Sequence, residues 1–227
     1  MAVRNVVRAP YRGDPTDMTD YNRPWYIRED STDTFTINEM QIYNPYCSTL
    51  EGERVLDLGA NIGTFARFAR AKGAAAVCSV EPDEENFKYL TLNTQDDPQI
   101  TRIRAAVAND YNGVDFYINS KRGKNTHTTF AYRGRPVVRV PTVPLKEMVE
   151  NFKPTVIKSD IEGGELFLDW SVLSSDLKLL IMEFHKGPSH RWEDEPIARA
   201  AAVIEQTTGL KLKKPLHHGP KAFAMMT

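Results

Sequence analysis

From residue 53 onward, short apolar runs alternate with longer amphipathic stretches, and that rhythm predicts strands and helices in turn. Residues 55–58 form a first strand. Residues 64–72 form a helix with Phe65, Phe68 and Ala69 on one face and Gly73 as its stop. A second strand is expected over 75–80, a second helix over 83–94 with Phe87 and Leu90 facing inward, and a third strand over 103–108. Such alternation implies βαβ units with right-handed crossovers and a parallel sheet between helical layers.

Residues 109–141 break the rhythm. Two extra strands, 114–118 and 137–140, flank a polar, glycine-bearing loop. The alternation resumes with a strand over 156–159, a helical stretch from Glu165 and a buried strand over 177–184. A helix over 196–208 follows, with Pro196 in its first turn and Gly209 past its end. Two short runs, 210–214 and 222–226, read as a terminal hairpin. Ahead of all this, residues 1–30 show no period and read as an irregular arm, and 31–50 as a strand or helix leading in. The chain therefore divides into an arm and lead-in over 1–50 and a main α/β domain over 51–227, with an insertion at about 109–141.

Composition narrows the partners. With 29 basic against 30 acidic residues, the net charge of −1 disfavours a strongly electrostatic partner such as bulk nucleic acid. No apolar run approaches the ~20 residues that span a bilayer, so no membrane partner is expected. The first ten residues carry Arg4 and Arg8 but no apolar core of a secretory signal. The two cysteines, Cys47 and Cys78, have no metal-binding or disulfide spacing, and a reducing, cytoplasmic setting is the default expectation.

The sharpest chemical signal is Val55-Leu56-Asp57-Leu58-Gly59-Ala60-Asn61-Ile62-Gly63. A strand ends at Gly59 and a helix begins near Gly63. The glycines allow a tight turn, and the helix start offers free N–H groups to an anionic or polar ligand. Glu81 closes the next strand, where an acidic side chain accepts hydrogen bonds from ribose hydroxyls of an adenosine. A dinucleotide loop would read G-x-G-x-x-G, but Asn61 replaces its middle glycine and Gly63 comes one position early. The D-x-G-x-x-x-G spacing resembles instead the first motif of class I methyltransferases.

Three stretches together resemble the FkbM family of methyltransferases: residues 56–63; Glu81-Pro82 with Asn86-Phe87 and residues 90–93; and Ile157-Lys158-Ser159-Asp160-Ile161-Glu162-Gly163-Gly164-Glu165. The run Met182-Glu183-Phe184-His185 is similar to the family's next strand end. The resemblance covers roughly residues 35–185. It implies a Rossmann-like class I fold: a mostly parallel seven-stranded sheet with helices on both faces, closed by the C-terminal hairpin. It implies S-adenosyl-L-methionine as cofactor and, usually, methyl transfer to an oxygen of a small molecule or glycan. Asp57, Gly59, Asn61, Gly63, Glu81, Pro82 and Ala106 are the positions it assigns to the cofactor. One departure is Pro144, where members often carry an Asp.

Asp160 and Glu162 follow the fourth core strand, at the sheet edge that lines the ligand crevice in open α/β folds. Methyl transfer to a hydroxyl needs the acceptor oxygen held in line and its proton removed. Asp160 is the first candidate, as base or orienting group; its bland alternative is a helix N-cap. Glu162 reads equally as a first-turn dipole partner. Lys158 either neutralises these acids or is a solvated lysine. His185 is a second candidate base. Together with Glu183 these side chains form a possible hard-cation set, but no spacing is diagnostic and no metal is expected. His127, on the loop, is a possible acceptor contact, and the adjacent His217 and His218 point in two directions. Tyr21, Trp25 and Tyr26 serve either stacking or packing. Rival functions are nucleic-acid methylation, for which Lys121, Arg122, Lys124, Arg133 and Arg135 are the one qualifying cluster, an NAD-dependent oxidoreductase, and a non-catalytic cofactor-binding subunit.

Overall fold

The computed structural model describes residues 6–7, 24–29, 31–43, 47–118, 134–185, 194–218 and 221–227. In chain order, strands Val6–Val7 (β1) and Trp25–Tyr26 (β2) precede helix Asp33–Tyr43 (α1). The regular alternation follows: Arg54–Leu58 (β3), Thr64–Ala71 (α2), Ala76–Val80 (β4), Glu84–Thr94 (α3) and Ile100–Ile103 (β5). Short strands Ala106–Ala108 (β6), Val114–Tyr117 (β7), Val137–Val140 (β8) and Thr142–Pro144 (β9) lead to helix Leu145–Phe152 (α4). Val156–Ser159 (β10), Leu179–His185 (β11), Asp194–Thr208 (α5), Leu212–His218 (β12) and Lys221–Met226 (β13) complete the chain.

The main sheet has the order β12-β13-β11-β10-β3-β4-β5. Five strands run parallel, and β13 enters antiparallel between β11 and β12. Central parallel strands are covered on both faces and so are apolar on both. Val55, Val77, Val156 and Ile181 pack on one face with Met40 of α1 and Phe65, Phe68 and Ala69 of α2. Leu56, Cys78, Ile157, Leu180 and Met182 pack on the other with Leu145, Met148 and Val149 of α4 and Ile204 of α5. Each such side chain, fully buried, stabilises the fold by about 1.5–3 kcal/mol. Polar exceptions are Asp57, Ser79, Lys158, Ser159 and Glu183; of these Asp57 and Lys158 lie side by side in register near the carboxyl ends of β3 and β10.

The lead-in is the helix α1, and the segment before it is packed. Trp25, Ile27 and Ile37 surround Ile62, and the Arg67 guanidinium lies 3.8 Å over the Trp25 ring. Several expectations change. Residues 103–108 are not one strand: the exposed Arg104 ends β5, and the chain leaves β4 to pair β6 with β9. From Glu165 there is no α-helix but two 3-10 turns, Gly164–Leu166 and Trp170–Val172. Side chains there bond nearby backbone donors in place of a continuing helix: Glu165 accepts from Gly163 N, and Asp169 from Ser171 N. The inward line of α3 is Asn86, Leu90 and Thr94, with Phe87 half-buried. The strands of the insertion pair with each other as an antiparallel hairpin. β12 runs through Pro215 with a register shift between Lys213 and Leu216, tolerable on an edge strand that needs no N–H there. No described helix is long and apolar enough to cross a membrane.

Candidate functional site

The loop after β3 is shaped by close approach. Gly59 and Ala60 both donate from their N–H groups to the Val80 carbonyl at 3.0 Å, pulling the loop onto the end of β4. Gly59 has φ +77, and a Cβ there would stand 1.9 Å from the carbonyl oxygen of Asp160. Only glycine lets the ends of β3 and β10 meet this way. Asn61 adopts φ 51 and donates its backbone N–H to Glu81 Oε2 at 2.8 Å. Gly63 starts α2 at φ 90, where a Cβ would meet Leu90 Cδ1 at 2.9 Å, so it serves helix packing.

Glu81 is 4% exposed. Besides Asn61 N it accepts from Asp83 N at 3.0 Å and Asn86 Nδ2 at 3.2 Å, both on Oε1. Burial pushes its carboxyl up to about 7, against the pull of those donors. Asn86 is held in turn, because Arg28 Nη1 donates to its side-chain oxygen at 2.7 Å. Arg28 grips the buried Asp33 with Nε and Nη2, at 3.0 and 2.7 Å. The segment before the main sheet thus reaches Glu81 through two side chains.

Glu81 lines an open cavity together with Gly59, Asn61, Pro82, Ala106, Asp160 and Glu162. These sequence candidates are brought together. Asp57 and Gly63 do not line it. Asp57 is fully buried beneath, its carboxyl pushed by burial up to about 6, with Lys158 Nζ 3.7 Å away. The cavity fits an adenosine-bearing ligand: Asn61 Oδ1 is buried there with no hydrogen-bond partner among the described residues, and the Glu81 carboxylate keeps acceptor capacity beyond its three donors.

Behind Asp160 lies a dense charged cluster. Lys158 is buried, not solvated; its Nζ donates to the Gly59 carbonyl at 3.0 Å and stands 3.7 Å from both Asp57 and Asp160. Burial alone would lower its pKa, but the carboxylates of Asp160 and Asp57 raise it above the usual lysine value. The His185 ring is fixed from one side, where Nδ1 lies 3.0 Å from Glu165 Oε1, an oxygen that also accepts from His185 N. On the other side Nε2 faces Glu183 at 3.3 Å, Glu162 at 3.4 Å and Asp160 at 3.6 Å. Burial opposes charge on this ring, yet Glu162, Glu165 and Glu183 hold its pKa well above the usual value.

Sequence reasoning missed two residues. Glu165, 0% exposed, reads as the start of a helical stretch; the one signal was its place at the end of the third family-like stretch. Phe116 lines the cavity from β7, and the insertion offered no signal for that. His127, Tyr21, Lys121, Arg122, Lys124 and Arg133 lie outside the described residues, and the side chains of His217 and His218 do too. Arg135 is described but does not line the cavity.

The model of the methyltransferase FkbM domain family matches residues 57–206. No curated protein matches the sequence. Among solved structures, the ribosomal protein L11 methylase of Lactobacillus delbrueckii subsp. bulgaricus is similar in fold, with a TM-score of 0.51 at 12% identity over 85% of this chain and 78% of that one. Aeropyrum pernix fibrillarin, solved with natively bound S-adenosyl-L-methionine, aligns with a TM-score of 0.45 at 14% identity over 78% of this chain and 67% of that one.

Proposed function

The chain belongs to the FkbM methyltransferase family, and from that premise we propose that it methylates a hydroxyl oxygen of a sugar-containing or other small-molecule acceptor. It is an S-adenosylmethionine-dependent methyltransferase. When bound, that cofactor supplies a methyl group on a positively charged sulfur. Glu81 would take the ribose hydroxyls, and the Asn61 amide oxygen and the Gly59 loop would hold the remainder. The acceptor hydroxyl enters at Asp160 and Glu162. These carboxylates orient it and receive its proton, a service that general-base groups supply at about 100- to 10,000-fold. His185 does not line the cavity and acts through the carboxylates it touches, as a positioning residue.

One observation carries this reading: a single cavity is lined both by the adenosine-type carboxylate Glu81 and by the acid pair Asp160 and Glu162. A non-catalytic cofactor-binding subunit would have no use for that pair. A cytoplasmic setting belongs to the proposal, in keeping with two buried free thiols. The test is incubation with isotopically labelled S-adenosylmethionine and, in parallel, a panel of glycosides and hydroxylated small molecules and a total RNA sample. The expected product is an O-methyl ether seen by NMR. Label entering RNA, with every small acceptor untouched, would overturn the acceptor class.

A further inference from the structure

The lead-in meets α3 along one face of that helix. Asn86, Tyr89 and Asn93 stand three and four residues apart, so their side chains share the face. Asn93 clamps β2: it accepts from Tyr26 N at 2.8 Å and donates to Tyr26 O at 3.0 Å, and it also donates to Ile62 O in the glycine loop. Ile27, Ile37 and Tyr89 pack in one cluster with Ile62. Arg28 is thereby held beside the start of α3, its guanidinium carbon 5.3 Å from the centre of the Tyr89 ring.

The chemistry of this contact is one-sided. A guanidinium offers N–H donors and no acceptor. Nη1 donates at 2.7 Å to Asn86 Oδ1, while Nε and Nη2 fork onto the two oxygens of Asp33, a residue 1% exposed. With its oxygen turned to Arg28, the Asn86 amide presents its NH2 to Glu81, and Nδ2 donates to Glu81 Oε1 at 3.2 Å. A flipped amide would set its carbonyl against the carboxylate and its NH2 against the guanidinium. The two ends of an asparagine amide are nearly alike in shape, so packing alone does not choose between them. The charge of Arg28 does. A buried ion pair is weak support for a fold, because desolvation offsets its attraction, and the Arg28–Asp33 pair is better explained by what it does to Asn86.

We propose that Arg28 is a positioning residue for cofactor binding, which through Asn86 fixes the Glu81 carboxylate as the acceptor of the ribose hydroxyls. The proposal rests on Glu81 being the ribose ligand. The Asn86 hydrogen bond is one of the three that oppose the effect of burial on Glu81. The charges facing Glu81 are Asp83, on its own loop, and Lys158 from β10; Asp33 and Glu85 face Arg28. Once Asn86 is loose, the Glu81 carboxyl stays protonated to higher pH, and in that form it is the poorer acceptor.

The experiment is a double-mutant cycle read by S-adenosylhomocysteine calorimetry, with thermal unfolding of the same samples. Arg28→Met alone would strand the buried Asp33 carboxylate, so Asp33→Asn accompanies it; that change removes the charge and keeps an oxygen for the backbone N–H at position 28. At pH 7 the paired variant should bind about tenfold more weakly than wild type, in the range for a hydrogen bond to a charged group. Added to Glu81→Gln, the same two changes should weaken binding by about twofold at most. Between pH 6 and 9 the affinity profile of the paired variant should lie at higher pH than that of wild type, its deficit narrowing toward pH 9. Asn86→Ala, which leaves the Arg28–Asp33 pair whole, should reproduce both the loss and the displacement. An equal loss with and without the Glu81 carboxylate would mean that Arg28 serves only the packing of the lead-in, and overturns the proposal. Wild-type affinity in Asn86→Ala overturns it as well, even if the paired variant does not fold. Glu81→Gln binding as tightly as wild type is a separate result: it removes the ribose reading itself, and the proposal with it.

Discussion

Gly59→Ala tests whether the meeting of two strand ends builds the site, and Gly52→Ala is its internal control. Both glycines have positive φ, +74 at Gly52 and +77 at Gly59, and differ in what a methyl group would meet: nothing within 4 Å at Gly52, the Asp160 carbonyl oxygen at 1.9 Å at Gly59. The backbone term alone is about 1–2 kcal/mol. For a chain of this size that lowers the melting temperature by about 2–8 °C, and Gly52→Ala should show no more. At Gly59 the carbon and oxygen must separate to about 3.3 Å, so β3 and β10 must part by more than an ångström. Overpacking of that kind adds about 1–3 kcal/mol. Displacement by an ångström costs about 100-fold in rate. Thermal unfolding and S-adenosylhomocysteine calorimetry on the two variants separate these effects. Gly52→Ala keeps the wild-type dissociation constant, while Gly59→Ala melts lower and loses most of the affinity. Equal melting temperatures together with equal affinities would refute the idea that this contact shapes the loop.

Two other substitutions probe the buried charges. Glu81→Gln should weaken S-adenosylhomocysteine binding by about 1.5–3 kcal/mol, because hydrogen bonds to a charged group are lost. Since burial holds the Glu81 carboxyl at about 7, the charged acceptor is lost as pH falls. Wild-type affinity should therefore be full above pH 8 and decline between 8 and 6, while Glu81→Gln stays flat; parallel pH profiles would assign the titration to another group. Lys158→Met strands Asp57 and Asp160 without their ammonium and should cost about 3–5 kcal/mol by thermal unfolding. A change below 1 kcal/mol would show that neither carboxylate depends on it.

The parallel core was legible because its strands and helices keep their own periods. Residues 55–58 and 156–159 are strands as expected, and α2, α3 and α5 fall within a residue or two of their sequence limits. The helix α4 was not among the expected elements, although Leu145, Met148 and Val149 stand at helical spacing behind Pro144, its N-cap. The 3-10 turns after Gly163 and the break after Ile103 were not legible. Both are decided by tertiary partners, Glu165 reaching His185 and β9 capturing β6. In the site, the meeting of Gly59, Asn61 and Glu81 at one cavity follows from their places after β3 and β4. The convergence of Glu162, Glu165 and Glu183 on His185 does not, because β10 and β11 are brought into register only by the sheet.

With Glu81 as the proposed ribose ligand, the side-chain relay from Asp33 through Arg28 and Asn86 to Glu81 would make cofactor capture and the docking of the N-terminal segment thermodynamically reciprocal. Whatever seats that segment would stiffen the Glu81 side of the cavity, and occupancy of the cavity would seat the segment by the same free energy. Protease sensitivity ahead of α1 thus becomes a gauge of ligand occupancy some way off. A chain trimmed to begin at its first core strand would keep every residue of the glycine loop and yet give up part of its grip on the nucleoside.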